Sequence, residues 1–183
     1  MKSSTFHRQI LAALSLATLF AGGCVSVDAS VPEMQLVKSG VEFPGVPIEV
    51  MGQFGEVSIS QRFSYSHDAI ELPEGVDSKL RPVGVSLVAS RGIENFGFVR
   101  SMTITISDEV NPGIELASFE RDGDDPSDDG GVLVMKVNPE LDALAVMKGE
   151  STGFVVDMSG SLPSMDWSMD VLIDMSGEIG FKL

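Results

Sequence analysis

Few side chains in this sequence could carry catalysis. Two histidines, His7 and His67, and one cysteine, Cys24, stand among 183 residues. A multi-histidine metal site needs several imidazoles within reach of one ion, and past residue 7 only His67 remains. A Ser–His–Asp hydrolase would have to be built on that same side chain. It stands in Tyr65-Ser66-His67-Asp68, at the end of an alternating run. No Gly-x-Ser-x-Gly elbow occurs to expose a serine. A turn or surface imidazole is the expectation.

Carboxylates are plentiful instead, with 27 Asp and Glu. The densest stretch is Asp122-Gly123-Asp124-Asp125-Pro126-Ser127-Asp128-Asp129-Gly130-Gly131. Calcium is held by clustered carboxylates on adaptable backbone, so Asp122, Asp124, Asp125, Asp128 and Asp129 form a candidate cation-binding set. An EF-hand would need an oxygen ligand where Pro126 stands and a closing Glu. The bland reading is a solvated loop between the strands around Leu116 and Leu133. A glycosidase-type pair of acids has no spacing that singles it out. Asp157-Met158-Ser159-Gly160 and Asp174-Met175-Ser176-Gly177 superficially suggest the paired Asp-Thr/Ser-Gly loops of aspartic proteases. The inserted methionine breaks that motif, and the alternation around both puts them in strands rather than turns. Met165, Trp167 and Met169 share a parity and could hold Cu(I) with soft sulfur ligands, His67 completing the set. Methionine is also an ordinary core filler, and core packing is the expectation. No catalytic residue, cofactor or resident metal is assigned.

The N-terminus is more specific. Lys2 and Arg8 give a positive start, Ile10 to Phe20 form an uncharged, mostly apolar run, and Ala21-Gly22-Gly23 are small. This is the three-part layout of a secretory signal. The apolar run is shorter than the roughly 20 residues that span a bilayer. The segment Phe20-Ala21-Gly22-Gly23-Cys24 resembles the lipobox of bacterial lipoprotein precursors. The resemblance covers the signal alone. It implies cleavage after Gly23, lipid such as palmitate on Cys24, and a cell-envelope, membrane-anchored product. Val25 after the cysteine favours the outer membrane in a Gram-negative source. Acylation also leaves no thiol for a Cys–His pair or a disulfide.

Removing the leader takes two of the 12 basic residues and no acid, leaving ten against 27 and a net charge of −17. Such a surface repels nucleic acid and anionic headgroups. It keeps a body soluble and suits a cation or a basic partner.

The rest of the chain alternates with period two. Val57, Ile59, Phe63 and Tyr65 share a face that Gln61 interrupts. Val83, Val85, Leu87 and Ala89 repeat the pattern, followed by Met102, Ile104 and Ile106, then Ile114, Leu116 and Ser118, then Leu133, Met135 and Val137. Met165, Trp167, Met169, Val171, Ile173 and Met175 are the longest series. One apolar and one wet face predict antiparallel pairing. Asn138-Pro139-Glu140 through Gly149 carries a cap, an N1 proline and a glycine stop, and predicts a short helical crossover.

These features predict an all-β protein, an antiparallel β-sandwich with one short helical crossover, with a closed β-barrel as the second architecture. The chain divides into a signal peptide (1–23), a lipidated tether (24–33) and one β-domain (34–183). The functional expectation is a membrane-anchored envelope lipoprotein with a non-enzymatic binding or structural domain. Its partners would be the membrane, through the lipid, and a protein or envelope component, but not nucleic acid. The alternatives are a lipoprotein that binds a cation or other ligand through the acidic loop 122–131, and a carboxylate-dependent hydrolase.

Overall fold

The structure is a computed structural model that describes residues 28–66, 76–107, 113–122, 128–147 and 151–181. In chain order it contains β1 (Asp28–Phe43), α1 (Ile48–Phe54), β2 (Val57–Ser66), β3 (Val76–Arg91), β4 (Val99–Ser107), β5 (Ile114–Glu120), the two-residue β6 (Asp128–Asp129), β7 (Val132–Val137), a 3-10 turn (Ala143–Ala145), β8 (Ser151–Gly160) and β9 (Trp167–Phe181). The strands follow the order β1-β9-β3-β7-β5-β4-β8-β2, with β6 added to β7. Every pairing is antiparallel, as the alternation predicts.

β7 reconciles the two expected architectures. Its first four residues pair with Val85–Val88 of β3, and its last two pair with Ser118 and Ala117 of β5. One short strand thus passes from one half of the sheet to the other, which is how a corner is made in orthogonally packed β-structures. The edge strands β1 and β2 come close to each other. They meet through side chains around Leu36, Phe63, Tyr65 and Phe154, leaving an apolar gap of about 10 Å³. The result is a curled, nearly closed, barrel-like sheet.

β9 is the axis of this body. It pairs along nearly its whole length with both β1 and β3. Trp167, Met169, Val171, Ile173 and Met175 are all 0–2% exposed, so the predicted parity holds from 167 to 175. The opposite face is less wet than expected. Ser168 is buried and shares a hydrogen bond with Ser90 (2.9 Å). Asp170 accepts the Gly40 N–H at 2.8 Å, and Asp174 accepts from Gln35 Nε2 at 2.8 Å. Both acids fasten the edge strand β1. Gly40, at φ +66°, lies in the irregularity between Lys38 and Val41, where the left-handed backbone favours glycine.

Several expectations change at bulges. In β3 the register steps between Pro82 and Gly84. Val83 is the extra residue and turns outward, while Val85 and Leu87 keep the predicted face. In β5, Ile104 faces Ala117 and Thr105 faces Glu115. Leu116 is therefore inserted, and it is buried together with Ala117 and Phe119, not with Ile114 and Ser118. An extra residue reverses the parity of everything beyond it. Met165 also leaves its predicted series. It precedes β9 and is 70% exposed.

The helix expected from Pro139 to Gly149 does not form across its described part. Asn138 does cap, accepting the Glu140 N–H at 3.1 Å. Asp142 then accepts the N–H groups of both Leu144 and Leu80 at 3.1 Å. These bonds pin the segment to β3 as a 3-10 turn, a local alternative that side-chain acceptors offer the backbone. Leu141, Ala143, Leu144, Val146 and Met147 are all buried there, a spacing too irregular for one helical stripe. The helix of the described chain is α1, entered from Pro47 and ended at Gly55. Its seven residues include two that are β-branched and a glycine, so its sequence carries little helical signal. Residues 28–31, expected from the sequence to lie ahead of the β-domain, pair with β9.

Trp167→Ala is expected to lower the free energy of unfolding by about 3–5 kcal/mol, since it empties the largest buried side chain from the core. Asp142→Ala should cost about 1 kcal/mol through the lost cap. Urea denaturation of both variants measures these values.

Candidate functional site

The ladder sorts the loops to two ends. The start of β1 lies beside the end of β9 (Asp28 opposite Gly180), and the end of β9 lies beside the start of β3 (Val76 opposite Phe181). The other end collects residues 44–56, 92–98, 121–122, 128–131 and 161–166. At roughly 3.3 Å per residue, β1 covers on the order of 50 Å of path between them.

This loop end is built on aromatic packing. Phe43 and Trp167, cross-strand partners, stack at 4.4 Å, and Phe98 meets the indole edge-on at 5.2 Å. The Trp167 Nε1–H is buried with no partner among the described residues, so this packing outweighs a desolvation cost on the order of 1–3 kcal/mol. The segment 96–100 is clamped from outside by Arg121. Its Nε donates to the Val99 carbonyl (2.9 Å) and its Nη2 to the Phe96 carbonyl (3.0 Å), and its guanidinium lies 5.3 Å from the Phe119 ring centre. On the opposite side, Ser161 N–H donates to the Phe98 carbonyl at 3.0 Å. A Cβ at Gly160 would collide with that same carbonyl oxygen, so only glycine allows this approach.

Between these elements lies an open cleft of about 300 Å³, lined by Glu56, Phe98, Arg100, Arg121, Gly160 and Ser161. The Arg121 N–H donates to the Arg100 carbonyl at 2.8 Å, which sets the two arginines opposite each other where β4 and β5 meet. Like charges placed opposite repel. Arg100 Nη1 pairs with Glu56 Oε1 at 3.0 Å, the two side chains 68% and 49% exposed. Among the described residues, those lining the cleft include two arginines and one carboxylate. Its chemistry is that of holding an oxyanion by charge-assisted hydrogen bonds.

The residues singled out by sequence fall elsewhere. Asp122 is exposed beside the cleft, next to Arg121. Asp128 and Asp129 form β6 and pair with Leu133 and Val132, so that end of the acidic stretch is a hairpin strand rather than a loop. Asp124 and Asp125 lie outside the described residues, as do His67, Gly23 and Cys24 with the whole signal segment. Among the described residues, no group of three or more His, Cys, Asp and Glu is placed to hold a metal. Met165 and Met169 do not share a face, the first being exposed and the second buried, which separates the soft-metal trio. Asp157 is exposed and Asp174 lies on the outer face of β9, while Met158 and Met175 point into the core, as the alternation predicted. Among the Asp and Glu side chains whose burial is described, none is buried.

The arginine pair was missed in the sequence. Arg100 and Arg121 are far apart in the chain, and only the register of β4 on β5, bulge included, makes them neighbours.

No protein-family model and no curated protein matches the chain. Among solved structures, it is similar to chains in the structure of the infectious bursal disease virus Gx strain (13% identity, TM-score 0.35, covering 84% of this chain and 38% of that one). A structure of the Gt strain of that virus gives 11% identity and a TM-score of 0.30, covering 86% of this chain and 38% of that one. The VP2 subviral particle of the same virus gives 13% and 0.30, covering 86% and 37%. The chain therefore spans under two-fifths of each of these neighbours.

Arg121→Ala should cost about 2 kcal/mol, because two charge-assisted bonds to carbonyls are lost. Arg100→Ala should stay within about 0.5 kcal/mol of the parent, as an exposed ion pair contributes little. Thermal unfolding of both variants distinguishes the clamp from the surface pair.

Proposed function

We propose that this chain is a membrane-anchored cell-envelope lipoprotein, and that its β-body is a non-enzymatic binding module that engages a protein or envelope component with its loop end. The observation that carries this reading is the separation of the two ends. β1 begins at Asp28, four residues after the cysteine of the lipobox-like segment. Four residues reach at most about 14 Å, so a lipid on Cys24 would hold the end where β1 begins against the bilayer. The loop end would then face away from it.

Two further features support binding at that end. It carries the polar cleft, and it exposes Ile48 (72%), Phe54 (70%) and Met165. Exposed apolar side chains mark a contact surface where they adjoin one another. The acidic body is repelled by anionic headgroups, so attachment depends on the lipid.

Mass spectrometry of the protein produced in a lipoprotein-processing bacterium is expected to show a mature chain beginning at an acylated Cys24. Cys24→Ser should move it out of the membrane fraction. An unmodified Cys24, or a mature N-terminus elsewhere, would overturn the anchoring.

A further inference from the structure

We infer that the cleft between Arg100, Arg121 and Glu56 is a binding site for an oxyanion group, a carboxylate or a phosphate, on a small ligand or at the end of a larger one. The inference deepens the proposal that the loop end is the binding end, and rests on it.

Three observations converge. The first is charge placement. In a body of net charge −17 without its leader, two arginines set in cross-strand register by their backbones line one cleft. Like charges set opposite each other on neighbouring strands are unfavourable, so their placement at one cleft calls for a reason.

The second is rigidity. Arg121 is tied to two carbonyls and lies against Phe119. The opposite wall is fixed by Ser161 on Phe98 and by the close approach of Gly160. A site whose walls are already ordered loses little entropy on binding.

The third is exchangeability. The ion-pair partner of Arg100 is the Glu56 carboxylate, both largely exposed. Such an exposed pair is weak, so an external carboxylate or phosphate can take the place of Glu56 on Arg100. Glu56 is thus an internal competitor, a carboxylate already seated where the ligand would sit. At about 300 Å³ the volume lies at the lower end for small-molecule sites, enough for one anionic group and a few attached atoms.

This arrangement makes opposite predictions for two neighbouring substitutions. With the full chain in detergent, isothermal titration with inorganic phosphate and, separately, with succinate is expected to give saturable one-to-one binding of at least one probe. Arg100→Gln should weaken it about tenfold or more, the loss of a charge-assisted bond being worth roughly 1.4 kcal/mol or above. Glu56→Gln should tighten it several-fold by removing the competing carboxylate while keeping the side chain's shape. Binding of phosphate alone identifies a phosphate-bearing ligand, binding of succinate alone a carboxylate, and binding of both a general oxyanion site. No saturation by either probe, or affinity that Arg100→Gln and Glu56→Gln leave unchanged, would overturn the assignment. Weaker binding in Glu56→Gln would also overturn it, since Glu56 would then be part of the site rather than its competitor. The anchoring is read separately, from the mass of the mature chain, so it can stand when the titration fails and fail when the titration stands.

Discussion

β9 is paired on both flanks along nearly its whole length and turns an unbroken row of large apolar side chains inward. Trp167 through Met175 fill the core. The pairing on one side recruits β1, and on the other β3. Without this strand neither long neighbour would have a full ladder, and the unpaired backbone groups left in the interior would each be costly. No disulfide is available to stiffen the body, since the sequence has one cysteine. Cohesion comes from burial and from the ladder. The acids on the outer face of β9 add to this by bonding to β1, as Asp170 does with the Gly40 N–H. In that way an acidic face serves structure without needing a catalytic or metal-binding role.

The same strand sets the geometry of the candidate site. Phe43 and Trp167 meet where β1 and β9 pair, and Phe98 closes over the indole. This aromatic group supports the segment 96–100 from within, and Arg121 supports it from outside. The cleft is formed between that segment and the end of β8. Its walls are the adjoining ends of β4 and β8, which pair with each other. Its one labile element is the exposed Arg100–Glu56 pair. A rigid frame bearing one exchangeable ion pair is the arrangement expected where a charged ligand enters and leaves.

The acidic stretch 122–131 illustrates how composition can mislead. Five aspartates in eight residues invite a cation site. The described part gives Asp128 and Asp129 a structural place in a short hairpin against β7. Asp122 stands beside an arginine rather than among other described acids. The charge-bearing feature the tertiary structure creates has the opposite sign. It is a pair of cations drawn together by strand register.

Much of the fold was legible in the sequence because its physical cause is local. Alternation with period two fixes which face of a strand is apolar, and it identified the inward residues of β4, β7 and β9. It failed where one residue is inserted. Leu116 and Val83 sit at bulges, and beyond a bulge the parity no longer applies. The segment from Asn138 to Met147 had a cap and an N1 proline, yet Asp142 bonds to the backbone of both Leu144 and Leu80, and the second of these partners is distant in sequence. Strand order, the passage of β7 between the two halves of the sheet, and the meeting of Arg100 with Arg121 depend on long-range pairing that no short window contains. By itself, then, the sequence determined an all-β, antiparallel, disulfide-free body. Only the tertiary structure decided how that sheet curls and which charges it brings together, because register, bulges and sheet closure are settled by contacts between segments far apart in the chain.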